Sequence, residues 1–464
     1  MNTLTHTVAA VSTPPGKGGV ALIRMSGGEA LEIASRAFAS ASGRAISDYL
    51  PRTQIYGYIM DGGEHIDDVL LTYFPSPSSY TGEDTVEICC HGGTVITRTV
   101  LETLFSLGAR PAEAGEFTRR AFINGKLSLS EAEAIGTLLD AKSREQIKLF
   151  SSPSRTRLED ELTKIRASIV EIMSSMYARI DYPDEDLGDF SDEELYARLS
   201  EISSMLMKLI STYKTGRAVS DGISVAICGK TNVGKSSLYN LLVGEDAAIV
   251  TDIKGTTTDV LTRSVPFGKV MLNIADTAGI RNDETVGTVE RIGIEKSRQM
   301  IEKCELLFTI FDISRPFDDE DRDILSAIKE SSAVKIAILN KCDSAPCFDE
   351  KVLGDVFDET IKISVKDGGT EARADLADLV NRLFTDERIS IGTDAVVSSA
   401  RHFASLTRAY EFISLALEGM SLGFAQDAVS ADIERALGAV SELDGKAVSE
   451  EVTASIFSKF CVGK

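Results

Sequence analysis

Residues 229–236 read GKTNVGKS and fulfil the pattern G-x-x-x-x-G-K-S without departure. Such a stretch cradles phosphate when a strand runs into it and a helix leaves it. The apolar run ISVAIC (223–228) precedes it here, and a helical stretch opens at Ser236. Gly229 and Gly234 let the backbone curl so that its N–H groups surround phosphate oxygens. Lys235 is placed to reach the β- and γ-phosphates, and the Ser236 hydroxyl to bind Mg²⁺. The helix start turns its positive end to the same anion. Apolar runs follow at VMLNIAD (270–276), LLFTIFD (306–312), KIAILN (335–340) and IKIS (361–364), alternating with helical stretches. That alternation predicts a mostly parallel sheet covered on both faces. By contrast PPGKGGV (14–20) has glycine and lysine without the spacing, and reads as a turn.

Further short motifs bear on the nucleotide. DTAG (276–279) follows a strand candidate, so Asp276 is placed at the Mg²⁺ shell and the Gly279 N–H at the γ-phosphate. In NKCD (340–343), the Asp343 carboxylate accepts from the N1–H and exocyclic amine of guanine; adenine has an acceptor at N1 and is rejected. SVK (364–366) follows the next strand candidate and is placed to close over the base. The order P-loop, GTTTD (255–259), DTAG, NKCD, SVK is that of GTP-binding domains. Ras-like proteins carry a water-orienting Gln directly after DTAG. Here Ile280 stands there, and no arginine finger is evident. An arginine finger supplies roughly 10³–10⁵ in rate, about 4–7 kcal/mol, so another group must stand in.

The remaining chain flanks this domain. Residues 1–122 read as mixed α/β, with VALIRMSG (20–27) as a strand, GEALEIASRAFAS (28–40) as a helix, DTVEICCHGG (84–93) as an alternating strand and TVITRTVLETLFSLGA (94–109) as a helix. From Asn124 the texture is rich in Ala, Leu, Glu and Lys, and Ser128/Glu131 and Ser130/Glu133 are alternative capping boxes. Residues 396–464 return to helix, so the economical arrangement is a helical domain with the nucleotide domain inserted. The expected divisions are 1–122, 123–215 (helical), 216–384 (GTPase) and 385–464 (helical, with the tail). The net charge of −22 is a poor match to a chain that grips nucleic acid alone, since phosphate contacts need Lys or Arg. The seven cysteines lack a repeated C-x-x-C spacing, which disfavours a zinc site or disulfide framework and favours a reducing, cytoplasmic setting. No apolar run approaches the length of a membrane span, and residues 1–25 lack the features of a signal peptide.

Along its whole length the chain resembles the tRNA-modification GTPase family MnmE (TrmE). The resemblance is carried by TPPGKGGVALIRMSG, SYTGEDTVEICCHGG, RPAEAGEFTRRAFINGKLSLSEAEAI, the nucleotide motifs, VERIGIE (289–295) and the terminal CVGK. It implies an N-terminal α+β domain that binds tetrahydrofolate and dimerises, and an all-α domain interrupted by a Ras-like P-loop GTPase domain. It implies GTP contacts at Gly229, Asn232, Val233, Gly234, Lys235, Ser236, Ser237, Thr251, Thr256 and Thr257. Further contacts are implied at Asp276, Thr277, Ala278, Gly279, Asn340, Lys341, Asp343, Ser364, Val365 and Lys366. Mg²⁺ would be held by Ser236 and Thr257, and K⁺ by Asn232, Thr251, the Ile253 carbonyl and Thr256, where an arginine finger would otherwise sit. Glu290 would orient the attacking water, which answers the puzzle of Ile280.

In the same resemblance Arg24, Glu87, Lys126 and Lys464 fall on the folate-contacting positions for a 5,10-methylene- or 5-formyl-tetrahydrofolate. Cys461 becomes a catalytic thiol on a short arm. The implied reaction, shared with a FAD- and NADH-using partner (MnmG), adds an aminomethyl or carboxymethylaminomethyl group to carbon 5 of the wobble uridine of certain tRNAs. The chain departs from the family at Thr258, where relatives usually have Arg, and at Val365 in place of Ala. The competing expectation is a GTPase switch of ribosome assembly or signalling that makes no covalent change. The folate-type N-terminal segment and the terminal thiol separate the two.

Overall fold

The computed structural model describes residues 6–181, 190–244, 262–275, 301–366, 369–443, 456–458 and 460–463. The chain forms two compact units, Met1–Leu139 with Gly438–Lys464, and Asp140–Leu437. Among the described residues no helix is long and apolar enough to cross a membrane.

The first unit is built on a sheet of order β3-β4-β5-β6-β2-β1-β7. Its strands are β1 (Val8–Val11), β2 (Val20–Ser26), β3 (Phe38–Ser40), β4 (Gln54–Asp61), β5 (Glu64–Phe74), β6 (Thr85–His91) and β7 (Arg110–Pro111). All pairings are antiparallel except β1 with β7. Strand alternation buries Ile23 and Met25 of β2 and Val86 and Ile88 of β6 on one face. Helices α1 (Ala30–Ala37) and α2 (Thr94–Ser106) cover that face with Ile33, Ala34, Val100 and Leu104. The helix expected over 28–40 ends at Ala37, and Phe38–Ser40 turn into β3. Phe38 packs into the sheet core; its N–H still donates to the Ala34 carbonyl, while its extended backbone opens the pairing with Ile59 of β4.

Helices α3 (Glu116–Ile123) and α4 (Leu129–Leu139) follow. Of the two candidate capping boxes, Ser128/Glu131 forms: Glu131 N–H donates to Ser128 Oγ (3.1 Å) and Ser128 N–H to Glu131 Oε2 (3.0 Å). Ser130 Oγ instead donates to the Leu443 carbonyl.

The second unit holds helices α5 (Arg144–Phe150), α6 (Ser152–Asp181), α7 (Asp192–Ser211) and α8 (Tyr213–Ser220), then a sheet of order β13-β12-β11-β8-β10-β9. Its strands are β8 (Ile223–Cys228), β9 (Thr262–Phe267), β10 (Val270–Ala275), β11 (Leu306–Asp312), β12 (Val334–Asn340) and β13 (Glu359–Ile363). Every pairing is parallel except the β9–β10 hairpin. β11 is buried at every residue, as a central strand covered on both faces must be. Helices Ala400–Ser421 and Gln426–Ser441 come after the sheet.

Helix α8 fastens the sheet's incoming and outgoing chain together. Thr212 Oγ1 accepts from Val397 N–H (3.0 Å), Thr215 Oγ1 accepts from Asp386 N–H (2.9 Å), and Lys214 Nζ donates to the Leu383 carbonyl (3.0 Å). Gly216 makes the approach possible: a Cβ there would lie 2.1 Å from the Val397 carbonyl oxygen. Gly216→Ala is therefore expected to cost about 3 kcal/mol, because backbone rather than a flexible side chain must yield. Gly438→Ala, where a Cβ meets open space, is the control and should be neutral or mildly stabilising. Urea midpoints of the two variants check this; equal midpoints would count against the tight junction.

Candidate functional site

Strand β8 delivers the phosphate loop to the C-terminal edge of the parallel sheet, where ligands of open α/β folds bind. The loop is left-handed at Gly229 (φ 144°), Asn232 (φ 63°) and Gly234 (φ 111°). Gly234 needs both its torsion and its missing side chain, since a Cβ would stand 2.4 Å from Asn340 Nδ2. Lys235 opens helix α9 (Lys235–Val243), and its ammonium donates to the carbonyls of Gly229 (2.5 Å) and Lys230 (2.6 Å). The loop's own backbone thus aims the charge back over the cradle. Asn232, Ser236 and Ser237 are exposed and Val233 is buried.

Asn340, the first residue of NKCD, is buried at the end of β12. Its amide nitrogen donates to the Val233 carbonyl (2.8 Å), and its amide oxygen accepts from Val365 N–H (3.0 Å). One side chain therefore ties the phosphate loop to the SVK loop. Lys341 (φ 64°) donates to Asp312 Oδ2 (2.5 Å) at the end of β11. Burial pushes the Asp312 carboxyl up, and hydrogen bonds from Lys341 and Ser314 outweigh it and hold the group below its ordinary range. Asp343 and Lys366 are exposed and Ser364 is half-buried. A turn with Ser344 N–H donating to the Lys341 carbonyl carries Asp343. Phosphate loop, Asp343 loop and SVK loop thus follow β8, β12 and β13 on one edge of one sheet.

Thr251, Ile253, Thr256, Thr257, Asp276, Thr277, Ala278, Gly279, Ile280 and Glu290 lie outside the described residues, as does Lys464. Strand β10 ends at Ala275, directly before DTAG.

A second cluster sits on the first unit. Arg24 (β2) faces Glu87 (β6) across the sheet, with Nε and Nη2 donating to the same Glu87 oxygen at 2.9 and 2.8 Å. The two are thus a pair, not independent groups. The guanidinium also lies over the Tyr80 ring (5.2 Å to the centroid) and the Phe117 ring (5.7 Å). Lys126 donates to the Pro77 carbonyl (3.1 Å), so Arg24 and Lys126 both lean on the loop between β5 and β6. Beneath it the fully buried Arg120 pairs with Glu83 (2.9 Å) and Glu116 (2.7 Å), and Ser26 Oγ donates to Glu83 (2.8 Å).

The tail is tethered to this unit. Phe457 and Phe460 are buried with Leu129 and Ala132. Val462 bridges Ala114, the Cys461 carbonyl accepts from Gly115 N–H (3.4 Å), and Ser12 Oγ donates to the Gly463 carbonyl (2.7 Å). Gly115 (φ 67°) starts α3 and has no room for a side chain, because a Cβ would lie 2.6 Å from the Phe457 carbonyl oxygen. The same helix carries Phe117, the ring beneath Arg24. The Cys461 side chain itself is exposed. The short arm expected from the sequence is therefore held at both sides of its thiol. Sequence reading missed Tyr80, Phe117, Ser12 and Gly115, because their partners are distant in the chain and no spacing announces them.

A phosphate loop after the first parallel strand, tied through Asn340 to a guanine-type Asp343 loop, defines a P-loop GTPase. The family model for the GTP-binding protein TrmE N-terminus matches residues 7–126, and that for the MnmE helical domain matches residues 129–461. The tRNA modification GTPase MnmE of Clostridioides difficile (strain 630) is 37% identical over 459 residues, which is 99% of this chain and 99% of that protein. Proteins of the same name from Thermotoga petrophila and Thermotoga maritima are 37% identical over 461 residues, 99% of this chain and 100% of theirs. The chain belongs to the tRNA modification GTPase MnmE family, and it is a GTP hydrolase. This sets aside the ribosome-assembly or signalling switch as its family.

Proposed function

We propose that this chain is a potassium-activated GTPase that, with a flavin- and NADH-using partner of the MnmG type, passes a folate one-carbon unit to carbon 5 of the wobble uridine of tRNA. With ammonium or glycine as the amine donor, the product carries an aminomethyl or carboxymethylaminomethyl group there. The observation that carries the reading is the tethered Cys461 thiol on the unit that bears the Arg24–Glu87 pair, both built around the start of α3. A non-modifying GTPase has no use for either.

Each proposed ligand meets residues of suitable chemistry. Ser236 lies exposed in the first turn of α9, as a hydroxyl ligand of Mg²⁺ should. Asn232, exposed on left-handed backbone, offers an amide oxygen to K⁺; Thr251, the Ile253 carbonyl and Thr256 complete the proposed set, with Thr257 on Mg²⁺. The monovalent ion supplies positive charge along the phosphates where other GTPases use arginine. Lys235 binds the β- and γ-phosphates, and Glu290 orients the water that Ile280 cannot. On the first unit, Glu87 accepts from a pterin, while Arg24, Lys126 and Lys464 offer positive charge to the folate carboxylates. When bound, the folate would supply the one-carbon unit, and Cys461 would serve as nucleophile or proton donor. The proposed assembly is a homodimer with the partner enzyme bound in the cytoplasm, and the partner supplies much of the basic grip that a chain of charge −22 lacks.

GTP turnover should be at least tenfold faster in KCl than in NaCl, a fraction of the roughly 10³–10⁵ an arginine finger gives, and Asn232→Ala should erase the difference. Equal rates in both salts would remove the potassium site. Titration of the full-length protein with 5-formyl-tetrahydrofolate should saturate, and Arg24→Ala should weaken binding by roughly tenfold or more. Failure of the wild type to bind would remove the folate assignment.

A further inference from the structure

Lys230 occupies a position that the pattern G-x-x-x-x-G-K-S leaves open. Its side chain is only 15% exposed, with the ammonium 2.5 Å from Asp318 Oδ1 and 2.7 Å from Asp321 Oδ2. Those carboxylates are fixed in turn. Asp318 caps the helix Asp319–Ile328, accepting from the N–H groups of Glu320 (3.0 Å) and Asp321 (3.3 Å), while Asp321 Oδ2 accepts from Asp318 N–H (3.2 Å). Asp321 is buried. Lys230 hydrogen-bonds Asp318, holding its carboxyl below the ordinary range. At its other end Lys230 offers its backbone carbonyl to Lys235 Nζ (2.6 Å).

We infer that Lys230 is a positioning residue for GTP binding: moored to the start of a neighbouring helix, it fixes the loop carbonyl that aims the phosphate-binding lysine. The phosphate loop has no strand or helix ladder to hold that carbonyl in place. Two charge-assisted hydrogen bonds to a capped helix end do so, and they are about twice as strong as neutral ones. The rival reading is that Lys230 is itself a phosphate ligand restrained by the carboxylates. The two readings predict opposite signs when the carboxylates are neutralised.

The test measures GDP affinity of the full-length protein with Mg²⁺, together with steady-state GTP turnover. Lys230→Ala should weaken GDP binding and raise KM for GTP roughly tenfold, the worth of one charged hydrogen bond, with kcat changed by less than about threefold. Lys230→Arg should restore both. The double change Asp318→Asn with Asp321→Asn keeps the ammonium and should also weaken GDP binding. Asp318 is 57% exposed at its side chain, so Asp318→Asn alone keeps the fold and should act in the same direction. Overturning results are GDP binding as tight as or tighter than wild type in either carboxylate variant, wild-type KM in Lys230→Ala, or no rescue by arginine.

Discussion

Asp343→Asn is expected to lower kcat/KM for GTP by roughly 10³ and to raise it for XTP. In the proposed site the Asp343 carboxylate would receive both the N1–H and the exocyclic amine of guanine, two charge-assisted bonds of about 1.5–3 kcal/mol each. Asparagine keeps one acceptor and turns the other into a donor. That donor opposes the guanine amine and matches the C2 carbonyl of xanthine. The scaffold of the loop should survive, because Asp343 is exposed while the neighbouring Asn340 carries the buried bonds to Val233 and Val365. Turnover with both nucleotides checks the swap; unchanged preference for GTP would place the base elsewhere.

Cys461→Ser is expected to cut tRNA modification by at least ~100-fold, the usual worth of a positioned proton-transfer or nucleophilic group, and to leave GTP turnover within about twofold. The hydroxyl is nearly isosteric with the thiol, and what holds the tail is backbone at Gly115, Val462 and Gly463 together with buried Phe457 and Phe460. The tail should therefore stay docked, so a loss would report chemistry at the sulfur. Parallel assays of nucleoside composition and phosphate release separate the two activities. Equal loss of both would make the cysteine structural.

The nucleotide domain was legible because its chemistry is local. GKTNVGKS, NKCD and SVK each follow an apolar run, and each run is a strand of one sheet. The strand β9 was not read; it carries Pro266, which an edge tolerates and a central strand would not. The long β4–β5 hairpin of the first unit also went unread, although Asp61-Gly62-Gly63-Glu64 between alternating runs is a turn signal. Lys230 and its carboxylates lie far apart in the chain, as do Cys461 and Gly115. Such pairs are set by the packing of whole elements, and no short window of sequence contains them.

The proposed transfer of a folate carbon onto tRNA can be followed in one reaction. The direct measurement incubates the full-length chain with unmodified tRNA, GTP, K⁺, Mg²⁺, tetrahydrofolate carrying an isotopically labelled methylene carbon, ammonium or glycine as amine donor, FAD, NADH and an MnmG-type partner already shown to work with a relative. The tRNA is then digested and its nucleosides weighed. A uridine with the label in its C5 substituent is expected, and it should be absent when this chain or GTP is left out. Full GTP hydrolysis with no labelled uridine would contradict it.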